Sequence, residues 1–296
     1  MPEGHSVHRI ARQFARHFIG VPVAVTSPQG RFAADAALLD GHRILQSTAV
    51  GKQMFLEFDH GLWLRVHLGL YGAWDFAGDI LDGGAGEASL SSIGAPRLTR
   101  LRMSEQEKFS EALETFPPEP IGQVRVRLLS PTVVADLRGP TACEVQTADE
   151  VQASIDKLGP DPLVDDTSMG EERFVSVVRK KPTPIALLLM DQSVISGIGN
   201  VYRAEMLFRA RQNPFTPGRE VREEVLRELW RDWAHLLRIG FDTGLMYTMD
   251  DEATGDPNPE HWVYHRTGEP CLVCGTAIAM EELGGRKLYW CPVDQA

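Results

Sequence analysis

The chain has 296 residues, with 30 Lys and Arg against 41 Asp and Glu, a formal charge of -11, and four cysteines. With 43% hydrophobic and 24% charged residues, composition excludes disorder and fibrous repeats as the main state, and the length points to two domains. The longest apolar run, Ile185 to Met190, is far below the roughly 20 residues of a membrane span; the start Met1-Pro2-Glu3-Gly4-His5 has no secretory pattern; and four cysteines are too few for a disulfide scaffold, so the cytosol is the expected compartment.

In chain order, Val7, Ile10, Ala11, Phe14, Ala15 and Phe18 recur at helical spacing, which predicts an amphipathic helix over 4–19. Short β-like runs follow, with strands at 54–58 and 62–66 joined by Asp59-His60-Gly61, and Gly51-Lys52 at the turn before them. Residues 78–122, first Gly- and Ser-rich, then Glu-rich and closed by Pro117, Pro118 and Pro120, read as a mobile loop insertion with one short helix. Residues 123–129 alternate again as a strand. After Gly139-Pro140 the periodicity turns helical, with helices near 149–157, 171–180, 184–193, 200–209 and 219–238. Pro257 and Pro259 mark a linker, and 262–296 reads as a cysteine-bearing hairpin. Charge is uneven: from Arg173 to Arg219 eight basic residues face only Asp191 and Glu205, a local net of +6 that suits a phosphate partner despite the acidic whole.

Three segments carry chemistry. Cys271-Leu272-Val273-Cys274, then Cys291 after 16 residues, is half a zinc ribbon plus a third thiolate; the fourth position holds Asp294, an oxygen donor harder than a thiolate. His265 is an outside candidate for that fourth ligand, and Cys143 reads as an ordinary small buried residue. Pro2 is small enough for removal of the initiator Met, which leaves a secondary amine of low pKa beside Glu3, a nucleophile and a proton shuttle. Alone, the same two residues also describe a plain helix entry. Ser196-Gly197-Ile198-Gly199-Asn200 joins two predicted helices. Its glycines permit a tight turn, Asn200 can cap the next helix, and the whole makes an anion site at a helix start.

Taken in order, Pro2-Glu3-Gly4, Gly51-Lys52, His67-Leu68-Gly69, Leu189 to Gln192 followed by Gly197 to Tyr202, and Val263 to Arg266 with the ribbon through Gln295 resemble the formamidopyrimidine-DNA glycosylase/endonuclease VIII family over nearly the whole chain. The resemblance implies an α+β fold: an N-terminal helix plus β-sandwich domain (1–138, catalytic), a helical domain with a helix–two-turn–helix motif (139–256), and a zinc-ribbon β-hairpin (257–296). It also implies a bifunctional DNA glycosylase and AP lyase of base-excision repair, which flips out and excises an oxidised base and nicks the abasic site by Schiff-base β- or β,δ-elimination. Pro2 would be the Schiff-base nucleophile, Glu3 the proton-transfer carboxylate, and Lys52 a phosphate contact that assists proton transfer. His67, Asn200 and Arg286 would hold the DNA backbone. Leu70 and Tyr71 would fill the void left by a flipped nucleotide, a task that suits an apolar wedge and an aromatic ring.

Structural Zn2+ on Cys271, Cys274, Cys291 and Asp294 is the implied cofactor. Damaged DNA is the implied partner of a monomer that needs neither membrane nor nucleotide cofactor. Pro2-Glu3-Gly4 and Leu70-Tyr71 resemble the endonuclease VIII branch, which points to oxidised pyrimidines. Two departures stand out: Asp294 in place of a fourth cysteine, which bears on the placement of Arg286, and His5, for which the motif offers no role. The alternatives are a non-catalytic damaged-DNA-binding protein on the same scaffold, opposed by the intact Pro2, Glu3 and Lys52, and a metal-dependent nuclease, opposed by a ribbon whose four ligands leave no open coordination position.

Overall fold

Helix α1 (Gly4–His17) forms where Val7, Ile10, Ala11 and Phe14 repeat on one face, and all four are buried. The computed structural model describes residues 2–80, 99–103, 108–112, 115–249 and 261–296. They divide into two units, one of residues 1–156 with 241–244, the other of residues 157–240 with 245–296.

The first unit is an antiparallel sandwich. One sheet takes the order β1 (Ala24–Thr26), β8 (Val124–Leu129), β9 (Val133–Arg138), β5 (Ala73–Gly78), β6 (Thr99–Met103), β7 (Lys108–Ala112). The other runs β10 (Ala142–Thr147), β4 (Leu62–His67), β3 (Gln53–Phe58), β2 (Ile44–Val50). A short helix α2 (Ala33–Leu39) lies between β1 and β2 in sequence. Alternation decides which residues face inward: Met54, Leu56 and Phe58 from β3, Leu64 and Val66 from β4, Trp74 and Phe76 from β5 all join one core with α1. Phe14 sits at its centre, with ring centroids 4.8 Å from Trp74 and 5.1 Å from both Phe18 and Phe76.

Two expectations are corrected here. Part of the 78–122 insertion is neither loop nor helix: 99–103 and 108–112 form a hairpin that pairs with β5 and extends the sheet. Thr99-Arg100-Leu101-Arg102-Met103 does alternate, but the surrounding Gly, Ser and Glu hide so short a run. Residues 81–98 lie outside the described residues. The stretch after Gly139-Pro140 is likewise a strand first: β10 pairs with β4 from Ala142↔His67 to Thr147↔Leu62. The helical pattern begins only at Thr147, which with Glu150 forms a reciprocal cap on α3 (Ala148–Ile155).

The second unit is helical: α4 (Thr167–Val178), α5 (Ile185–Leu188), α6 (Asn200–Arg209) and α7 (Glu223–Thr243), the last residues of α7, from Phe241, counting with the first unit. Asp166 starts α4 four residues before the expected position by accepting from the N–H groups of Ser168 and Met169. The helix expected over 184–193 is a single turn, because the Asp191 carboxylate accepts from Ser193 N–H and Oγ–H and bends the chain. Trp230, Trp233, Leu226, Leu229 and Leu237 of α7 pack with Phe174, Ile195, Ile198 and Tyr202. Among the described residues no helix is long and apolar enough to cross a membrane.

The ribbon is a hairpin of β11 (Ala279–Leu283) and β12 (Arg286–Trp290), joined by Gly284 and Gly285, both at positive φ as a tight two-residue turn of this kind demands. It packs on α6 through Ala204, Phe208, Val263, Ile278 and Tyr289. A buried carboxylate fixes this join. Glu205 on α6 accepts from the backbone N–H groups of Trp262, Val263 and Tyr264 at 2.8, 3.0 and 2.9 Å and from Thr248 Oγ–H at 2.8 Å. Glu205→Ala would strand four donors, and we expect a loss of about 3 kcal/mol or more in unfolding free energy, read as a lower denaturant midpoint. An unchanged midpoint would contradict this role.

Candidate active site and metal centre

In the first unit the chemistry gathers at the start of α1. Pro2 and Glu3 are buried, and Glu3 precedes the helix in extended conformation (φ -106°, ψ 175°). Its carbonyl accepts from the N–H groups of Ser6 and Val7, whereas its carboxylate makes no capping bond to the helix. Lys52 is buried too. It follows Gly51 (φ 57°) in the two-residue turn between β2 and β3, where Val50 pairs with Gln53. Gln53 in turn pairs with His67 at the end of β4, so strand register brings the lysine and this histidine together. Burial, then the nearby charges of Lys52 and Arg65, lowers the His67 imidazole pKa.

Leu70 and Tyr71 occupy the loop between β4 and β5. Tyr71 is 84% exposed, which excludes ordinary strand packing for a side chain of this size. The glycines of this loop leave no room for a side chain. Gly69 has φ 68°, and a Cβ there would lie 1.7 Å from Thr141 Oγ1, while one on Gly72 would lie 2.3 Å from the Leu68 carbonyl.

Sequence reasoning gave no role to His5 and did not single out Ser6. Both are buried in the first turn of α1, with His5 Nε2 3.1 Å from Ser6 Oγ. Burial, followed by the electrostatic influence of Arg9, His8 and Lys52, pushes the His5 imidazole down to about 3. The available signal was a string of polar residues, His5, Ser6, His8 and Arg9, at the start of a helix whose apolar face lies further on.

In the second unit Gly199, not Asn200, is the N-cap of α6, so the expectation that Asn200 caps this helix is corrected. Asn200 instead donates from Nδ2 to the Lys287 carbonyl at 2.9 Å and accepts from Arg203, which also donates to Lys287 O. Asn200 is thereby tied to the hairpin strand that carries Arg286 one residue earlier. The preceding turn is braced by Gln192, which donates to Ile198 O and accepts from Gly197 N–H, and by Trp233 Nε1–H donating to Ser196 O. The basic stretch from Arg173 to Arg219 carries less bare charge than its +6 suggests. Arg179 pairs with Glu223, Arg209 with Asp232 and Arg219 with Glu220, all acids outside the stretch.

At the ribbon, ligand atoms of Cys271, Cys274, Cys291 and Asp294 all lie within 4.8 Å of one another. Asp294 Oδ2 is 3.1 Å from Cys271 Sγ and 3.4 Å from Cys291 Sγ, and the Cys274 and Cys291 sulfurs are 3.4 Å apart. Zn–S bonds of about 2.3 Å in a tetrahedron need sulfurs roughly 3.8 Å apart, so the donor set fits zinc with little adjustment. Backbone N–H groups of Val273 and Asp294 point at the sulfurs of Cys271 and Cys291, the donors that ligating thiolates want. Gln295 locks the second turn by accepting from Cys291 N–H and donating to Gln212 O. His265 is not in the cluster; it stacks on Tyr264 at 4.1 Å. Cys143 is half-buried, and desolvation pushes its thiol up to about 12.

Comparison with known proteins agrees with this architecture. Residues 1–115 match the formamidopyrimidine-DNA glycosylase N-terminal domain, 158–250 the formamidopyrimidine-DNA glycosylase H2TH domain, and 268–296 the zinc finger found in FPG and IleRS. Endonuclease 8 1 of Mycobacterium tuberculosis is 39% identical over 301 residues, covering 100% of both chains. The formamidopyrimidine-DNA glycosylase of Heliobacterium modesticaldum is 30% identical over 303 residues, covering 99% of each. In fold, the chain is similar to the MutM (Fpg) protein of Thermus thermophilus (TM-score 0.69, 24% identity, 99% and 98% covered). It is similar also to Lactococcus lactis Fpg bound to DNA containing an AP site (TM-score 0.71, 20% identity, 99% of each covered). The chain belongs to the formamidopyrimidine-DNA glycosylase/endonuclease 8 family, base-excision repair enzymes that are DNA glycosylases with AP-lyase activity.

The buried His5 carries a testable pH signature. The unfolded chain binds a proton at this residue below its ordinary value of 6.5, whereas the folded chain resists until about 3. Stability from this group is therefore complete above pH 6.5 and lost as pH falls from 6.5 towards 3, by at most about 1.4 kcal/mol per pH unit. Urea unfolding across that range should show a shallower slope for His5→Gln than for the parent; equal slopes would contradict the assignment.

Proposed function

We propose that the chain excises oxidised pyrimidines from DNA and nicks the resulting abasic site through a Schiff base on Pro2. The observation that carries this reading is the burial of Pro2, Glu3 and Lys52 in the first unit, with the charge of Lys52 reaching His5 two residues beyond Glu3.

The Pro2 amine attacks C1′ of the extruded nucleotide, the glycosidic bond breaks, and its electron pair leaves with the base, which takes up a proton. Opening of the sugar ring gives a cationic iminium. Its pull on electrons acidifies the C2′ proton, whose removal expels the 3′ phosphate and cleaves the strand. Glu3, whose carboxylate does not cap the helix, shuttles protons in these steps, and Lys52 binds phosphate and assists proton transfer. His67 in the first unit and Asn200 and Arg286 in the second hold phosphates. Leu70 and Tyr71, exposed on the loop between β4 and β5, fill the gap left by the base.

Cys271, Cys274, Cys291 and Asp294 hold a structural zinc ion that fixes the turns flanking the hairpin and hence Arg286. The higher identity to an endonuclease 8 (39%) than to the formamidopyrimidine-DNA glycosylase of Heliobacterium modesticaldum (30%) supports the endonuclease VIII branch, for which the motif resemblance implies oxidised pyrimidines. The domain reading follows: a catalytic sandwich, a helix–two-turn–helix DNA-binding unit and a zinc ribbon.

Two experiments test the proposal. With thymine glycol and 8-oxoguanine duplexes, the former should be cleaved faster. Glu3→Gln should lower excision by roughly 10²–10⁴-fold, and an N-terminal extension that acylates Pro2 should abolish scission of a ready-made abasic site. Scission by the extended protein at the parental rate would refute the mechanism. For the ribbon, purified protein should contain one zinc per chain; Asp294→Cys should slow its loss to a chelator, and Asp294→Asn should speed it. A zinc content near zero, or chelator kinetics indifferent to residue 294, would remove Asp294 from the ligand set.

A further inference from the structure

The first turn of α1 places a second polar pair beside the nucleophile. His5 is 1% exposed, lies three residues from Pro2, and hydrogen-bonds through Nε2 with the buried Ser6 hydroxyl at 3.1 Å. The ionisable groups acting on it are Arg9 and His8 of its own helix and Lys52 from the turn between β2 and β3. Desolvation and these three groups keep the imidazole uncharged throughout the working pH range. A neutral imidazole is an unusual filler for so costly a position. An apolar residue would fill the space without needing partners, and a lysine or carboxylate would add a charge. The ring supplies volume and hydrogen bonding without either. That combination suits a pocket that must tolerate Lys52 and, on the reading given above, an iminium on Pro2: a further cation would oppose the iminium, and a further carboxylate would compete with Glu3 for protons.

We propose that His5 is a positioning residue of the lyase reaction: its buried imidazole, braced by the Ser6 hydroxyl, holds the adjoining Pro2–Glu3 segment in place. This rests on the Schiff-base function proposed for Pro2. It assigns His5 no proton transfer of its own.

The test uses the full chain and steady-state scission of abasic-site DNA from pH 5 to 8, with DNA concentration varied to separate kcat from KM. His5→Gln, which keeps a neutral hydrogen-bonding side chain, should retain kcat within about threefold, with a pH profile coincident with the parent. His5→Leu, similar in volume but without polar atoms, should lower kcat by roughly 10- to 100-fold with KM within about twofold, as expected for a misplaced reacting group. Ser6→Ala, a milder change that preserves the ring, should lower kcat several-fold in the same way. It decides the matter should His5→Leu fail to fold by circular dichroism.

A parental kcat in both His5→Leu and Ser6→Ala overturns the proposal. So does an inflection near pH 6.5 that is present in the parent and absent in His5→Gln, since that would make His5 an acid or base in its own right. No scission by the unaltered protein, with damaged DNA still bound, would instead overturn the lyase reading, and this inference with it.

Discussion

Chain termini are ordinarily the loosest part of a fold, because few contacts hold them. The nucleophilic role proposed for the terminal amine of Pro2 needs that tendency reversed, and the packing of the first unit reverses it. The apolar face of α1, with Val7, Ile10, Phe14 and Phe18, is buried against both sheets. Nearly every side chain from Pro2 to Ala11 is enclosed. Arg9 and Arg12 add polar anchors by donating to the carbonyls of Phe241 and Asp242, with Arg12 lying over the Phe241 ring. Once α1 is fixed, Pro2 and Glu3 are fixed with it, and the two-residue turn at Gly51-Lys52 is set by the register of β2 and β3 alone.

The second unit meets a parallel demand with different means. Its proposed phosphate-binding residues come from separate elements, a helix start and a hairpin, and buried polar contacts bind those elements together. Glu205 gathers three consecutive backbone N–H groups at the approach to the ribbon. Asn200 and Arg203 clasp the Lys287 carbonyl beside Arg286. A carboxylate buried on an otherwise apolar helix face costs much desolvation unless it is fully hydrogen-bonded, and Glu205 is. The arrangement makes the orientation of the hairpin a property of α6, reinforced by the four-donor cluster at Cys271, Cys274, Cys291 and Asp294.

Much of this was legible in the sequence. Helix α1, α6, α7 and the strands around Lys52 follow from period alone, because each buries a clear apolar face. What escaped did so for physical reasons. Strand β10 is intermediate or exposed along its whole length, so it lacks the alternation of a half-buried strand. The hairpin at β6 and β7 is short and set within residues that favour turns. Asn200 is a strong capping residue by type, yet a glycine occupies the cap, because the asparagine amide is drawn to Lys287 O instead. Glu205 counted in the sequence only as a charge opposing a basic stretch; its four donors come from residues more than 40 positions away. The basic stretch itself overstated the local field because its partners Glu223 and Asp232 lie just beyond it.

The central claim is that the terminal amine of Pro2 is the nucleophile. The most direct measurement is borohydride reduction of the protein with abasic-site DNA, followed by mass spectrometry of the digested adduct. The account predicts one DNA adduct per chain, carried on the peptide beginning at Pro2 and attached at its nitrogen. An adduct on Lys52 or any other lysine, or no adduct from a preparation that cleaves the same DNA, would contradict it.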